Sequence, residues 1–410
     1  MNDDIIRSLQ VERSEVSQSH IMVIGVGGGG GNAVNYMHRL GIKDVDFMVC
    51  NTDQQALNIS PIELKVRLGE EGLGAGNDPA TGRQAAIASL DLIKQKFENY
   101  STKMIFIAAA MGGGTGTGAA PVIAKAASEM GILTVGIVTT PMRKEGPLRF
   151  QQAIEGINEL KASVDSLLII DSDKIATLSR QMSLNDAYSL PDNVLATAVK
   201  GIAEIVTITS SRTNIDFADV SKVMCRSGRT HMGVGRASGA NRAENAVDMA
   251  LHSPLLDTNS IRGARNILLN VCCKNSDSLI YSELMTILEV IQSEAKYIDE
   301  NGQQCNANII WGNCDKPDLN DDLEVVVVAT GFVETVPKVV KTIAEPKEEP
   351  KEEPKEEPKD EPIESPKVVE NDTTENASGT FDIWEEIKKF TQKTIDWLED
   401  LDRQNPDVNF

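Results

Sequence analysis

Between residues 20 and 171 the apolar positions come in short unbroken runs, each closed by glycine or polar residues and followed by a stretch of helical spacing. IMVIGVG, DVDFMVCNTD, MIFIAAA, ILTVGIVTTP and SLLIID read as five strands. Unbroken apolarity, rather than strict alternation, marks parallel strands covered on both faces. Helices are expected over 32–40, stopped by Gly41, after the loop GEEGLGAGNDPATGRQAA, and over 119–130. This βαβα order predicts an α/β fold, a parallel sheet with helices on both faces. Residues 192–208, DNVLATAVKGIAEIVTI, repeat apolar residues at helical spacing with few charges on any face. That pattern predicts a long central helix packed on both sides, between two domains.

From 218 to 335 the alternation is lost. Helical stretches (244–252, 282–295) and strand-like runs (NILLNVCC, NANIIWG, LEVVVVATGF) predict a smaller α+β domain without a glycine-rich turn. Over 336–379 the four-residue repeat of PKEEPKEEPKEEPKDEP predicts a solvated, semi-extended linker, because proline removes donors and the charges resist burial. In the tail, 380–410, Ile383, Ile387, Phe390, Thr394, Trp397 and Leu401 fall on one stripe of an amphipathic helix. A short helix is marginal alone in water, so this stripe is expected to seek a partner. The domain reading is then a flexible arm (1–19), a nucleotide-binding domain (20–191), a central helix and loop (192–217), an α+β domain (218–335), the linker and the tail.

The net charge of −21 repels nucleic acid and anionic lipid, so neither is expected as a partner. Ten acidic residues against four lysines between 345 and 364 concentrate that charge in the linker. The polar N-terminus has no apolar core for a signal peptide, and no run approaches the roughly 20 residues that span a bilayer. The six cysteines form no CxxC pair and no zinc-like spacing, so no metal site is expected from them. They read as reduced thiols of a cytosolic protein.

The candidate chemistry lies in two glycine-dense turns, IMVIGVGGGGGN and MIFIAAAMGGGTGTG, each after a strand and before a helix. Glycines let backbone N–H groups close around phosphate oxygens, and the helix start adds its positive dipole end. Two such turns suggest a polyphosphate held from two sides. Thr115 and Thr117 offer hydroxyl donors. The first turn also matches GxGxxG, with Asp53 about where a ribose-binding acid would stand, so a nicotinamide-dinucleotide site remains open at this point, as does a plain structural turn. No GxxxxGK[ST] is present.

GGGTGTG, GVGGGGGNAVNYM, NTDQQAL, GILTVGIVTTP and TNIDFADV, in this order, resemble the FtsZ family of tubulin-like GTPases over about residues 20–333. The resemblance implies GTP or GDP, with Mg2+ accompanying the nucleotide. It places Gly27, Gly28, Gly29 and Asn32 on one side of the phosphates, and Gly112, Gly114, Thr115, Gly116, Thr117 and Gly118 on the other. Asn51, Asp53 and Thr139 would lie near the nucleotide. Glu145 and Arg149 would hold the ribose; their i,i+4 spacing fits a surface ion pair equally well. Asp192, with Tyr188 stacking, would read guanine. Asn214, Asp216 and Asp219 would reach the nucleotide of the next subunit as catalytic groups, although NIDFADV also reads as a helix cap with a first-turn acid.

A site shared in this way implies a head-to-tail filament with hydrolysis tied to assembly. The resemblance further implies a cytoplasmic protein of the midcell division ring, at the inner face of the membrane; the acidic amphipathic tail departs from the family's short peptide with proline and basic residues, and is expected to dock tethering or division proteins, with a self-associating coil as the alternative. Departures stand at Ala110 and Ser172, where the family has Gly and Asn, in GAGNDP, which sets Asn77 and Asp78 near the γ-phosphate, and in SSRTN before the catalytic loop. They favour, as an alternative, a filament-forming paralogue that binds GTP with little hydrolysis.

Overall fold

The computed structural model describes residues 20–178, 184–208, 215–253, 260–299 and 302–332, without the side chains of 177, 178 and 184–189. The arm, linker and tail expected from sequence, the Asn214 position and the Tyr188 side chain lie outside these.

Seven parallel strands form the first sheet: β1 (Ile21–Val26), β2 (Asp46–Asn51), β3 (Leu64–Arg67), β4 (Met104–Ala110), β5 (Leu133–Thr139), β6 (Ser166–Ile170) and the two-residue β7 (Gly228–Arg229). Their order is β3-β2-β1-β4-β5-β6-β7. The chain moves outward from β1 to β3, then returns to lay β4 on the other side of β1, in register Val26↔Ala109. Such a reversal leaves a crevice at the carboxyl ends of the two central strands. Both strands are apolar because helices cover both faces. Gly27–Arg39 and the central helix Leu184–Thr207 lie on one face, whose core holds Val23, Met37, Phe106, Val199 and Ile202. Pro79–Ala88, Leu90–Asn99, Gly114–Glu129 and Pro147–Lys161 supply the other, around Ile24, Phe97, Ile107 and Ile123.

The second sheet follows: β8 (His231–Ala237), β9 (Asn266–Cys273), β12 (Asn308–Asp315) and β13 (Leu323–Thr330), in the order β12-β9-β13-β8. A hairpin of β10 (Lys296–Ile298) and β11 (Gln304–Asn306) stands apart. Helices Arg242–Leu251 and Tyr281–Glu294 cover one face, over Val247, Ile287, Leu269 and Val327. Met232, Leu268, Val326 and Val328 turn the other face toward the central helix and join its core.

Two expectations need correction. The central helix starts at Leu184, well before 192, and carries Pro191 inside it. The cysteines are not all thiols: Cys272 and Cys314, directly opposed on β9 and β12, form a disulfide, while Cys50, Cys225, Cys273 and Cys305 are free. The sequence showed no pairing because the two residues stand 42 apart and only strand register brings them together.

Candidate nucleotide site

Both glycine turns sit at the crevice. Helix Gly27–Arg39 begins at the first glycine after β1, and Gly114–Glu129 begins four residues after β4. Neither N-terminus has a side-chain cap or an acidic residue in its first turn, so the orphan N–H groups of both are available to an anion. The turns touch. Gly27 has φ +74°, and a Cβ there would lie 2.9 Å from the Gly116 nitrogen. Gly116 in turn leaves room for only a hydrogen, with the Ala110 carbonyl 2.5 Å from any Cβ. Gly28 and Gly113, by contrast, face open space. Close packing therefore uses some glycines, and others keep the backbone bare at the mouth.

The two threonines of the second turn do more inside the protein than expected. Thr117 Oγ1 accepts from the Gly112 N–H at 2.8 Å, closing a turn in which Gly112 takes φ +95°. Thr115 Oγ1 bonds Thr52 Oγ1 at 2.7 Å, a buried contact that ties the turn to the end of β2. Thr52 carried no sequence signal of its own. Gly118 packs against Pro79 at the start of the neighbouring helix, and a Cβ on Gly114 would lie 2.8 Å from the Asp78 nitrogen. Thr139, buried at the end of β5, accepts from the Met111 N–H through its carbonyl.

Several candidate acids are occupied as helix caps. Asp53 accepts from the N–H groups of Gln55 (2.8 Å) and Ala56 (3.4 Å), while Asn51 Oδ1 accepts from the Asp53 N–H. Asp78 accepts from the N–H groups of Ala80 and Thr81 and from the Thr81 hydroxyl, which together hold its pKa below the usual value. Its carboxylate is thus turned to its own helix. Ala110, the departure in the second turn, fits because Gly29 leaves it space: a Cβ on Gly29 would lie 2.5 Å from the Ala110 methyl. Ser172 opens a helix, and its N–H reaches Thr140 Oγ1 at 3.4 Å.

Glu145 and Arg149 form the i,i+4 pair at 2.7 Å, and Glu145 also accepts from the Met142 N–H. Asn32 is exposed in the first helix. Asp192, on the central helix beside that first helix, is pushed up to a pKa of about 7 by burial, against the opposing pull of Arg39. No sequence pattern linked Arg39 to Asp192; the packing of the two helices does. Asp216 and Asp219 cap their helix reciprocally: Asp216 accepts from the Asp219 N–H at 2.8 Å, and Asp219 from the Asp216 N–H at 3.4 Å.

Among the described residues no three histidine, cysteine or acidic side chains converge as a cation site. Magnesium in nucleotide sites commonly rests on phosphate oxygens with one or two carboxylates, and Asp53 is the carboxylate at the end of β2. No described helix is long and apolar enough to cross a membrane.

Comparison with known proteins agrees with this geometry. Residues 20–180 match the Tubulin/FtsZ family, GTPase domain, and residues 228–333 the FtsZ family, C-terminal domain. An FtsZ dimer from M. jannaschii is similar at 34% identity, over 81% of this chain and 92% of that one, with a TM-score of 0.67. CetZ2 from Haloferax volcanii, described as a GTPγS-bound protofilament, shares the fold at 21% identity, over 77% of this chain and 93% of its own, with a TM-score of 0.64. Two crossing glycine turns at the switch point of a seven-strand parallel sheet, followed by the long helix and a second sheet, accompany these matches in one chain, which belongs to the Tubulin/FtsZ family.

Proposed function

We propose that this chain is a GTP-hydrolysing, filament-forming cytoskeletal protein of the bacterial division ring. The observation that carries the reading is the meeting of two uncapped, glycine-built helix N-termini at Gly27 and Gly116. Backbone N–H groups from Gly27–Gly29 and Gly113–Gly116 would take the phosphates from two sides, in turns that Gly112 and Gly118 shape. Magnesium would accompany the phosphates beside Asn51 and Asp53. Glu145 and Arg149, already paired, would present a fixed polar edge to the ribose. Asp192, once ionised, would accept from both N1–H and N2–H₂ of guanine, with Tyr188 stacking; adenine offers no such donor pair.

The resemblance to the family assigns hydrolysis to a second subunit. From Asp192 to Thr207 the central helix is continuous, about 22 Å at 1.5 Å per residue. Asp216 and Asp219 follow the end of the helix away from Asp192 in sequence. Placed over the next subunit's γ-phosphate, the two carboxylates would orient and polarise the attacking water. Stacking subunits head to tail brings each loop to a neighbouring site and makes an open filament.

The reciprocal cap on Asp216 and Asp219 favours a second reading, a GTP-binding scaffold paralogue in which both acids are structural. Single-turnover phosphate release separates the two. Release that rises with protein concentration supports the hydrolytic filament, and filaments that retain GTP support the scaffold.

A further inference from the structure

Residues 314–319 grip the last turn of the central helix in two places. Ile208, at the end of that turn, packs on Cys272, Cys314 and Leu319. One turn earlier, Glu204 accepts a hydrogen bond from Lys316 Nζ at 2.6 Å, and the Ile208 N–H returns to the Glu204 carbonyl at 3.0 Å. Lys316 is 8% exposed and also reaches Glu324 on β13 at 2.5 Å. Its backbone N–H is fixed on the Cys273 carbonyl at 2.8 Å. Burial works against the ammonium, but Glu324 and Glu204 outweigh it and hold its pKa above the ordinary lysine value. Lys316 serves both carboxylates, and Lys200, one turn back on the helix, also pairs with Glu204 at 3.8 Å.

A buried ion pair is a poor source of stability, since its desolvation cost offsets its attraction. Its distinct property is direction: the ammonium must meet the carboxylate at one place on the helix. Glu324 and Lys316 belong to the same small domain, so the Lys316–Glu204 bond is the hydrogen bond of this cluster that crosses to the helix, with the Lys200 charge of the helix also acting on Glu324. We propose that Lys316 is a positioning residue for GTP hydrolysis, pegging the end of the central helix through Glu204 and so helping to set the position of Asp216 and Asp219, whose neighbours Ile215 and Val220 share the helix's core. The inference rests on the reading of those two acids as hydrolytic.

Glu204→Gln and Glu324→Gln provide the test in the full-length chain. Each removes one of the two carboxylates on Lys316, but only the first takes the charge off the bond to the helix, leaving the weaker neutral amide acceptor. Expected for Glu204→Gln is GTP affinity and threshold for assembly near wild type, with turnover per assembled subunit lower by about tenfold, because small misplacement of reacting groups is costly. Glu324→Gln is expected to keep wild-type turnover. Glu204→Asp, with the charge kept and the reach shortened, should fall between, and it replaces Glu204→Gln should that variant not fold. Equal losses in both Gln variants, matched by equal losses of melting temperature, would make the cluster merely structural and overturn the proposal. So would wild-type turnover in Glu204→Gln. Wild-type protein that binds GTP and assembles without hydrolysing it would instead overturn the hydrolytic reading beneath, and the positioning role with it.

Discussion

Asp192 is the residue where burial and the proposed function meet most directly. Its carboxyl is held up to about 7, chiefly by burial, with Arg39 pulling the other way. Guanine pairing needs the ionised form, so GTP affinity is expected to fall as pH drops below about 7, by roughly tenfold per pH unit once the acid dominates. Isothermal titration with GDP at pH 6 and pH 8 checks this; Asp192→Asn should bind weakly at both and lose the pH dependence. His231 moves in the opposite sense. Buried against Phe332, with Nε2 lacking a partner, it is lowered to about 4, first by burial. Its unfolded pKa lies above its folded one, so the unfolded chain takes the proton first as pH falls. Stability should therefore be full above about pH 6.5 and decline toward pH 4. Thermal melts of His231→Phe should show a flatter profile over that window.

Among the elements, the glycine-built helix starts test the division between packing and binding. Gly27 needs its positive φ and touches Gly116, so Gly27→Ala is expected to lower stability by about 1–3 kcal/mol, visible as a lower denaturant midpoint. Gly28 has no such constraint and faces open space. Gly28→Ala should fold normally yet bind GTP more weakly, because its methyl would enter the space proposed for phosphate. Normal GTP affinity in Gly28→Ala would place the phosphates elsewhere.

These helices also show how far the sequence could be read. Most of the longer strands were legible, since NILLNVCC is β9 residue for residue and MIFIAAA is β4, but the short β3 and β7 carried too few apolar residues to be read. The helix starts were not: helices expected from 32 and 119 begin at Gly27 and Gly114. Glycine is a poor helix former, and what overrides it is the tight approach of Gly116 to β4 and Gly118 to the Pro79 helix. Pro191 hid the first turns of the central helix in the same way. The strand β8, HMGVGRA, was missed because its glycines, which let helix Arg242–Leu251 pack closely, broke the apolar run. At the site, the glycines and acids could be named from sequence, as could the cap at Asp216 in NIDFADV, but the Thr52–Thr115 bond, the Arg39–Asp192 approach and the caps that occupy Asp53 and Asp78 came only with the structure.

In the whole molecule, one apolar core runs from β1 and β4 through the central helix to β9 and β13, so the nucleotide-bearing sheet and the second sheet share a spine. With guanine proposed at one end of that helix and the acids Asp216 and Asp219 past the other, the proposed reaction would be divided between two subunits. The caps supply a clean variant: asparagine caps a helix about as well as aspartate. Asp216→Asn should therefore keep its fold, whereas Asp216→Ala should also lose about 1 kcal/mol of stability. The most direct measurement is phosphate release from GTP over a series of protein concentrations, for wild type and Asp216→Asn. Specific activity that climbs above a threshold concentration in wild type, with Asp216→Asn binding GTP and assembling but releasing little phosphate, is the predicted result. Activity per molecule that stays flat with concentration, or that survives in Asp216→Asn, would contradict a site shared between subunits.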